Sequence, residues 1–129
     1  MIEIAIDGTA ASGKGTLGKK LSYKYSFPYL DTGMLYRKVA YEILKNNKIN
    51  TTKLEQDCCD FAMILSLKEL KNTNLRNEDI TKLASKIATF PILRKILNDK
   101  QKEFNDLNKK KFGGCILDGR DIGTTILPN

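Results

Sequence analysis

The chain has 129 residues, 41% of them apolar and 29% charged, a length that suits one domain around one hydrophobic core. Its apolar stretches are far shorter than a membrane span and no signal peptide precedes the first predicted strand, so no membrane partner and a cytoplasmic location are expected. The three cysteines, Cys58 and Cys59 adjacent and Cys115 apart, match neither a metal-ligand spacing nor a disulfide framework and read as small apolar residues in a reducing compartment.

Ile2, Ile4 and Ile6 alternate with Glu3 and Ala5, the period of a short strand. Gly8, Thr9, Ala10, Ala11, Ser12, Gly13, Lys14, Gly15 and Thr16 follow. Small residues and glycines there let backbone N–H groups turn inward around an anion, with Lys14 as a point charge for terminal phosphates. Apolar positions resume at Leu17 and Leu21, so a helix over about 14–25 turns its positive end to the same phosphates. An ordinary Gly/Ser-rich turn gives no reason for a lysine at that place.

Phe27-Pro28-Tyr29-Leu30 is expected to be extended, because the residue before a proline is pushed out of helical conformation. Asp31-Thr32-Gly33 then begins a helix with Leu35, Val39 and Ile43 on one side, ending near Asn46-Asn47. Thr52 and Glu55 predict a capping box for a third helix, with Leu54, Cys58, Phe61, Ala62 and Leu65 at helical spacing. Lys68–Asp79 is polar and Asn-rich, a loop or a small irregular excursion. Asn77 is placed to cap a fourth helix carrying Ile80, Leu83, Ala84 and Ile87, and Pro91 to open a fifth with Leu93, Ile96, Leu97 and Phe104. Gly113-Gly114 ends that run, and Cys115-Ile116-Leu117 is a buried strand ending at Asp118. The pattern is α/β, a parallel sheet flanked by helices.

The net charge of +7 comes from 18 lysines and four arginines against 15 acids. A solvated face explains most of the lysines scattered along helices, and aromatic–basic interleaving is absent, so no nucleic-acid partner is expected. Arginine suits bidentate phosphate recognition, and three of the four, Arg37, Arg94 and Arg120, fall near element boundaries or beside a glycine turn, which suggests a compact anion site. Asp118-Gly119-Arg120-Asp121-Ile122-Gly123-Thr124 is a second cluster. A carboxylate at the carboxyl end of a buried strand lies beside the phosphate loop if the two strands are neighbours, where Asp118 could hold Mg²⁺ with Thr16 of the loop. Taken alone, the segment also reads as a surface turn with a local Asp–Arg pair.

Four stretches together, GTAASGKGT, DTGMLYR at Asp31–Arg37, SKIATFPILR at Ser85–Arg94 and DGRDIGT at Asp118–Thr124, resemble the cytidylate kinase (CMP/dCMP kinase) branch of the P-loop nucleoside monophosphate kinases. The loop alone also fits adenylate, shikimate or dephospho-coenzyme A kinases. The resemblance implies transfer of the γ-phosphoryl of ATP, with Mg²⁺, to CMP or dCMP. It implies that Gly8 to Thr16 hold ATP, that Thr32, Arg37 and Arg120 contact the acceptor phosphate, and that Ser85, Arg94 and Asp121 face the cytosine. Lys14, Arg37 and Arg120 are the residues it assigns to catalysis. The base assignment agrees with chemistry: a carboxylate accepts from the exocyclic amino group, an arginine donates to the ring nitrogen and carbonyl, and a hydroxyl serves either. Without the resemblance, Ser85 and Arg94 also read as exposed helix residues, and Tyr36 as core packing rather than a stacking platform.

The same resemblance implies three segments, a P-loop unit over 1–33, a helical acceptor region over 34–112, and a second sheet strand with the DGRD run over 113–129. Family members continue beyond the position of Asn129 with further strands and an arginine-bearing lid, and the insert around Leu65–Asp79 is abbreviated here. The expectation is therefore an incomplete domain, monomeric if folded, with the Ile2–Ile6 strand left at an edge and catalysis absent or weak. An active kinase completed by a separate polypeptide and a non-catalytic fragment remain the alternatives.

Overall fold

The computed structural model describes residues 2–7, 14–49, 52–66, 75 and 77–119. In chain order these form β1 (Ile2–Asp7), α1 (Lys14–Tyr25), β2 (Tyr29–Asp31), α2 (Gly33–Lys45), α3 (Leu54–Ile64), α4 (Glu78–Ile87), α5 (Pro91–Phe112) and β3 (Gly114–Gly119). They fall into two compact units, Met1–Thr32 with Asn98–Asn129, and Gly33–Leu97. Among the described residues no helix is long and apolar enough to cross a membrane.

The first unit is a parallel sheet of order β1-β3-β2 with α1 packed on its strands. Cys115, Ile116 and Leu117 of β3 are fully buried, as a central strand covered on both faces requires. Among the described residues β1 has one strand neighbour, β3. α1 approaches β2 closely because Gly18 has no side chain: a Cβ there would overlap the Tyr29 ring. Gly113, with φ +78, takes the left-handed conformation that ends α5 and turns the chain into β3.

The second unit is helical. Leu35, Val39, Ala40 and Ile43 of α2 are fully buried, and α2 packs on α3 and α4, whose buried residues are Cys58, Cys59 and Ala62, and Ile80, Leu83, Ala84 and Ile87. The end of α2 is a Schellman turn. Asn47 sits at φ 53 and donates to Leu44 O at 3.2 Å, while Lys48 N donates to Ile43 O at 3.0 Å. Asn77 caps α4 as expected, its side chain accepting from Ile80 N at 2.8 Å. Pro91 opens α5.

The capping box expected at Thr52 and Glu55 does not form. The N-cap of α3 is Lys53, whose carbonyl accepts from Asp57 N at 2.8 Å, and it has no side-chain cap. The helix thus starts one residue later than the box needs, which leaves Thr52 outside it and exposed and puts Glu55 at the second helical position. Lys38 departs from the solvated-lysine pattern: it is buried on α2, paired with Glu42 Oε1 at 3.2 Å and lying over the Tyr41 ring at 4.9 Å. Of the predicted loop Lys68–Asp79, most residues, Arg76 included, lie outside the described residues.

Candidate functional site

In the first unit the register sets the site. Ile6 and Asp31 both pair with Asp118, and Asp7 pairs with Gly119. The carboxyl ends of three parallel strands are therefore level, and each places an aspartate there or next to it: Asp7 on β1, Asp118 on β3, Asp31 on β2. The chain leaves β1 at this edge and re-enters regular structure at Lys14, so Lys14, Gly15 and Thr16 make the first turn of α1. The leading N–H groups of a helix have no intrahelical partner, and the helix dipole puts partial positive charge there. No acidic residue occupies that first turn to compete for it. An anion is the natural occupant. Thr32, directly after β2, is buried at the same edge. Crevices outside the carboxyl ends of parallel strands are where α/β sheets bind ligands.

The second unit carries three of the other predicted residues. Arg37 is half-buried on α2. Ser85 lies in the last turn of α4, exposed, its hydroxyl donating to Thr81 O at 3.1 Å. Arg94 lies in the first turn of α5, half-buried, and its Nη1 donates to Ala88 O at 3.0 Å. Ser85 and Arg94 thus share the α4–α5 corner. Burial pushes the Tyr36 phenol above its ordinary value, and the positive charge of Arg94 draws it part of the way back.

Gly8, Thr9, Ala10, Ala11, Ser12, Gly13, Arg120 and Asp121 lie outside the described residues. Lys14, Gly15, Thr16 and Asp118 are placed by their backbone: the first three at the start of α1, Asp118 one residue before the end of β3. Sequence reading passed over Asp7 and Asp31, whose strand-end positions beside a phosphate loop were the available signal.

ATP and Mg²⁺ fit what is present. The leading N–H groups of a helix suit a polyphosphate, and aspartate and threonine oxygens are hard donors suited to Mg²⁺. Among the described residues no group of three or more His, Cys, Asp and Glu could hold a metal.

The parallel sheet, its flanking helices and the strand–loop–helix opening with a lysine at the helix start define a P-loop α/β protein of the nucleoside monophosphate kinase type. The cytidylate kinase family model matches residues 4–129. Cytidylate kinases of Bartonella tribocorum and Bartonella bacilliformis are 44% and 45% identical over 126 residues, 98% of this chain and 56% of each relative. That of Acidiphilium cryptum is 41% identical over 127 residues, 98% of this chain and 57% of the relative. The chain belongs to the cytidylate kinase family, and it spans a little over half the length of these curated relatives.

Proposed function

We propose that this chain binds ATP with Mg²⁺ where β1 gives way to α1, and passes the γ-phosphoryl group to CMP or dCMP. The observation that supports the reading is that β1 ends level with Asp118 of β3, with α1 beginning next in the chain at Lys14. Phosphoryl transfer needs no protein nucleophile; it needs alignment and neutralisation of charge on the migrating group. In this reading the loop amides of Gly8 to Thr16 and the Lys14 ammonium hold the β- and γ-phosphates. Mg²⁺, when bound, neutralises phosphoryl oxygens, with Thr16 and Asp118 as its protein ligands. Thr32, Arg37 and Arg120 hold the acceptor phosphate so that its oxygen faces the γ-phosphorus. Ser85, Arg94 and Asp121 meet the base. Uracil reverses the hydrogen-bonding edge of cytosine and leaves those groups unpaired, so UMP is rejected.

The experiment is a coupled turnover assay with ATP, Mg²⁺ and CMP, dCMP, UMP or AMP, beside calorimetric titration with ATP. The expected result is ATP binding, turnover with CMP or dCMP above that with UMP and AMP, and loss of both binding and turnover in Lys14→Ala with unchanged thermal unfolding. ATP binding without turnover would leave the triphosphate site standing and remove the transferase assignment. A Lys14→Ala variant that binds ATP as the parent does would remove the site.

A further inference from the structure

Leu93, Leu97, Gln101 and Asn105 follow one another at four-residue intervals along α5, and all four are buried. They form a continuous stripe, which changes from apolar to amide where the chain enters the sheet unit at Asn98. Gln101 is 3% exposed and forms no side-chain hydrogen bond among the described residues. Its surroundings follow from the sheet. The Tyr29 ring meets Gly18 of α1, so Tyr29 and its register partner Ile116 face α1. Leu30, Cys115 and Leu117 alternate with them, face the other way and are buried. α1 and the part of α5 from Asn98 onward are the described helices of this unit. The steps from β1 to β2 and from β2 to β3 run in opposite directions across the sheet, and right-handed crossovers of opposite direction pass over opposite faces. α5 therefore covers the face of Leu30, Cys115 and Leu117. It passes into β3 through Gly113 alone, so helix and strand run antiparallel. At about 1.5 Å per helical residue and about 3.3 Å per strand residue, Gln101 lies about 16 Å from that turn along α5, and Gly119 about 16 Å from it along β3. Gln101 is thus level with the carboxyl end of β3, over a residue that has no side chain. Thr32, two residues after Leu30, is buried at the same end.

We propose that the Gln101 amide, beside Thr32 at the carboxyl end of the sheet, donates to the phosphate of the acceptor nucleotide. The inference rests on the functional reading above, in which Thr32 holds that phosphate. A glutamine amide carries two N–H donors, and phosphate oxygens only accept. Burying such an amide without a partner costs free energy, and a bound phosphate returns that cost by accepting from it. The absence of a side chain at Gly119 leaves the approach open. A neutral donor held by a helix also meets the phosphate already ordered, so less binding free energy is lost to immobilising it. Leu93 and Leu97, one and two turns earlier on the same stripe, serve packing alone and need no partner.

The test uses the full chain and measures CMP and ATP binding at equilibrium, with thermal unfolding, for Gln101→Leu and Gln101→Glu at pH 8. Gln101→Leu removes the donors and keeps the bulk. It should weaken CMP binding by about tenfold or more, the range of one hydrogen bond to a charged group, and leave ATP binding unchanged. Its thermal midpoint should equal or exceed that of the parent, because leucine needs no partner in a buried place. Gln101→Glu brings a negative charge to the phosphate and should weaken CMP binding further than Gln101→Leu does, again with ATP unchanged. Normal CMP affinity in Gln101→Leu overturns the contact. A lower midpoint with parallel losses of CMP and ATP makes Gln101 a structural residue, and a loss in Gln101→Glu no larger than in Gln101→Leu takes the phosphate away from it. Each of these leaves the functional reading standing. Absence of CMP binding by the parent chain overturns that reading, and this inference with it.

Discussion

Asp31 of β2 and Asp118 of β3 are register partners at the carboxyl end of the sheet. Asp118 also pairs with Ile6 of β1, one residue before that strand gives way to the phosphate loop. β2 and β3 thus each place an aspartate at this edge, as β1 does with Asp7 beside it, and β3 is the neighbour of the strand from which the loop leaves. Asp118→Asn keeps the size of the side chain and removes its charge. At fixed ATP, the Mg²⁺ concentration that gives half-maximal turnover should rise by about tenfold, equivalent to about 1.4 kcal/mol of lost interaction. An Mg²⁺ midpoint equal to that of the parent chain would take the metal away from Asp118.

Gly18 tests how closely α1 lies on the sheet. Alanine improves helix propensity by about 1 kcal/mol at such a position. Here the new Cβ would overlap the Tyr29 ring, and overpacking of this kind costs about 1–3 kcal/mol. We expect Gly18→Ala to lower the urea midpoint. Replacing Tyr29 by leucine in the same chain should reverse the sign, since the obstacle is then gone and the propensity gain remains. Equal midpoints for Gly18→Ala and the parent would mean that the ring yields without cost.

Two capping residues that look alike in sequence separate in the structure. Asn77→Ala removes the acceptor for Ile80 N and should cost about 1 kcal/mol, seen as a lower thermal midpoint. Thr52→Ala removes a hydroxyl that caps nothing, because Lys53 is the N-cap of α3, and should leave the midpoint unchanged. Comparable losses in the two variants would restore the capping box.

What could be read in the sequence follows from how local the governing physics is. Alternating isoleucines, Pro91, Gly113 and Asn77 each act through backbone geometry within a few residues, and the elements they predict are present. The asparagine pair after Lys45 is read correctly for the same reason, since αL at Asn47 needs no distant partner. Thr52 fails because two starts one residue apart differ only in which carbonyl opens the ladder, and neighbouring packing decides that. Lys38 is an exception the sequence does not mark, because burial is a property of what packs over a helix. A lysine on an amphipathic helix gives no local sign that Glu42 and Tyr41 will enclose it. In the candidate site, the sequence assigns the motif residues one by one as expectations. The level ends of β1, β2 and β3 come only from the register.

Cys58 couples the helical unit to alkaline pH. It is fully buried on α3, and burial, reinforced by Cys59, Asp57 and Glu55, pushes its thiol up to about 12 from an ordinary 9.0. Cys59 is shifted the same way, by burial first and then by Glu55 and Asp60. In the unfolded chain the thiol ionises near 9.0, while in the folded chain it keeps its proton to about 12. The folded state therefore binds the proton more tightly, so the stability from this group is complete below pH 9 and is lost as the pH rises towards 12. The slope for one such thiol approaches about 1.4 kcal/mol per pH unit within that window. Urea midpoints taken from pH 8 to pH 10.5 should fall steeply for the parent chain and more gently for Cys58→Ala, even if that variant starts lower at pH 8 from the volume it loses. Over the same range below pH 9, a thiol reagent should modify Cys58 only as fast as the helical unit opens, because both exposure and thiolate are lacking in the folded state. Parallel pH slopes for parent and variant, or prompt labelling of Cys58 at pH 8, would show that the thiol is not held protonated in the core.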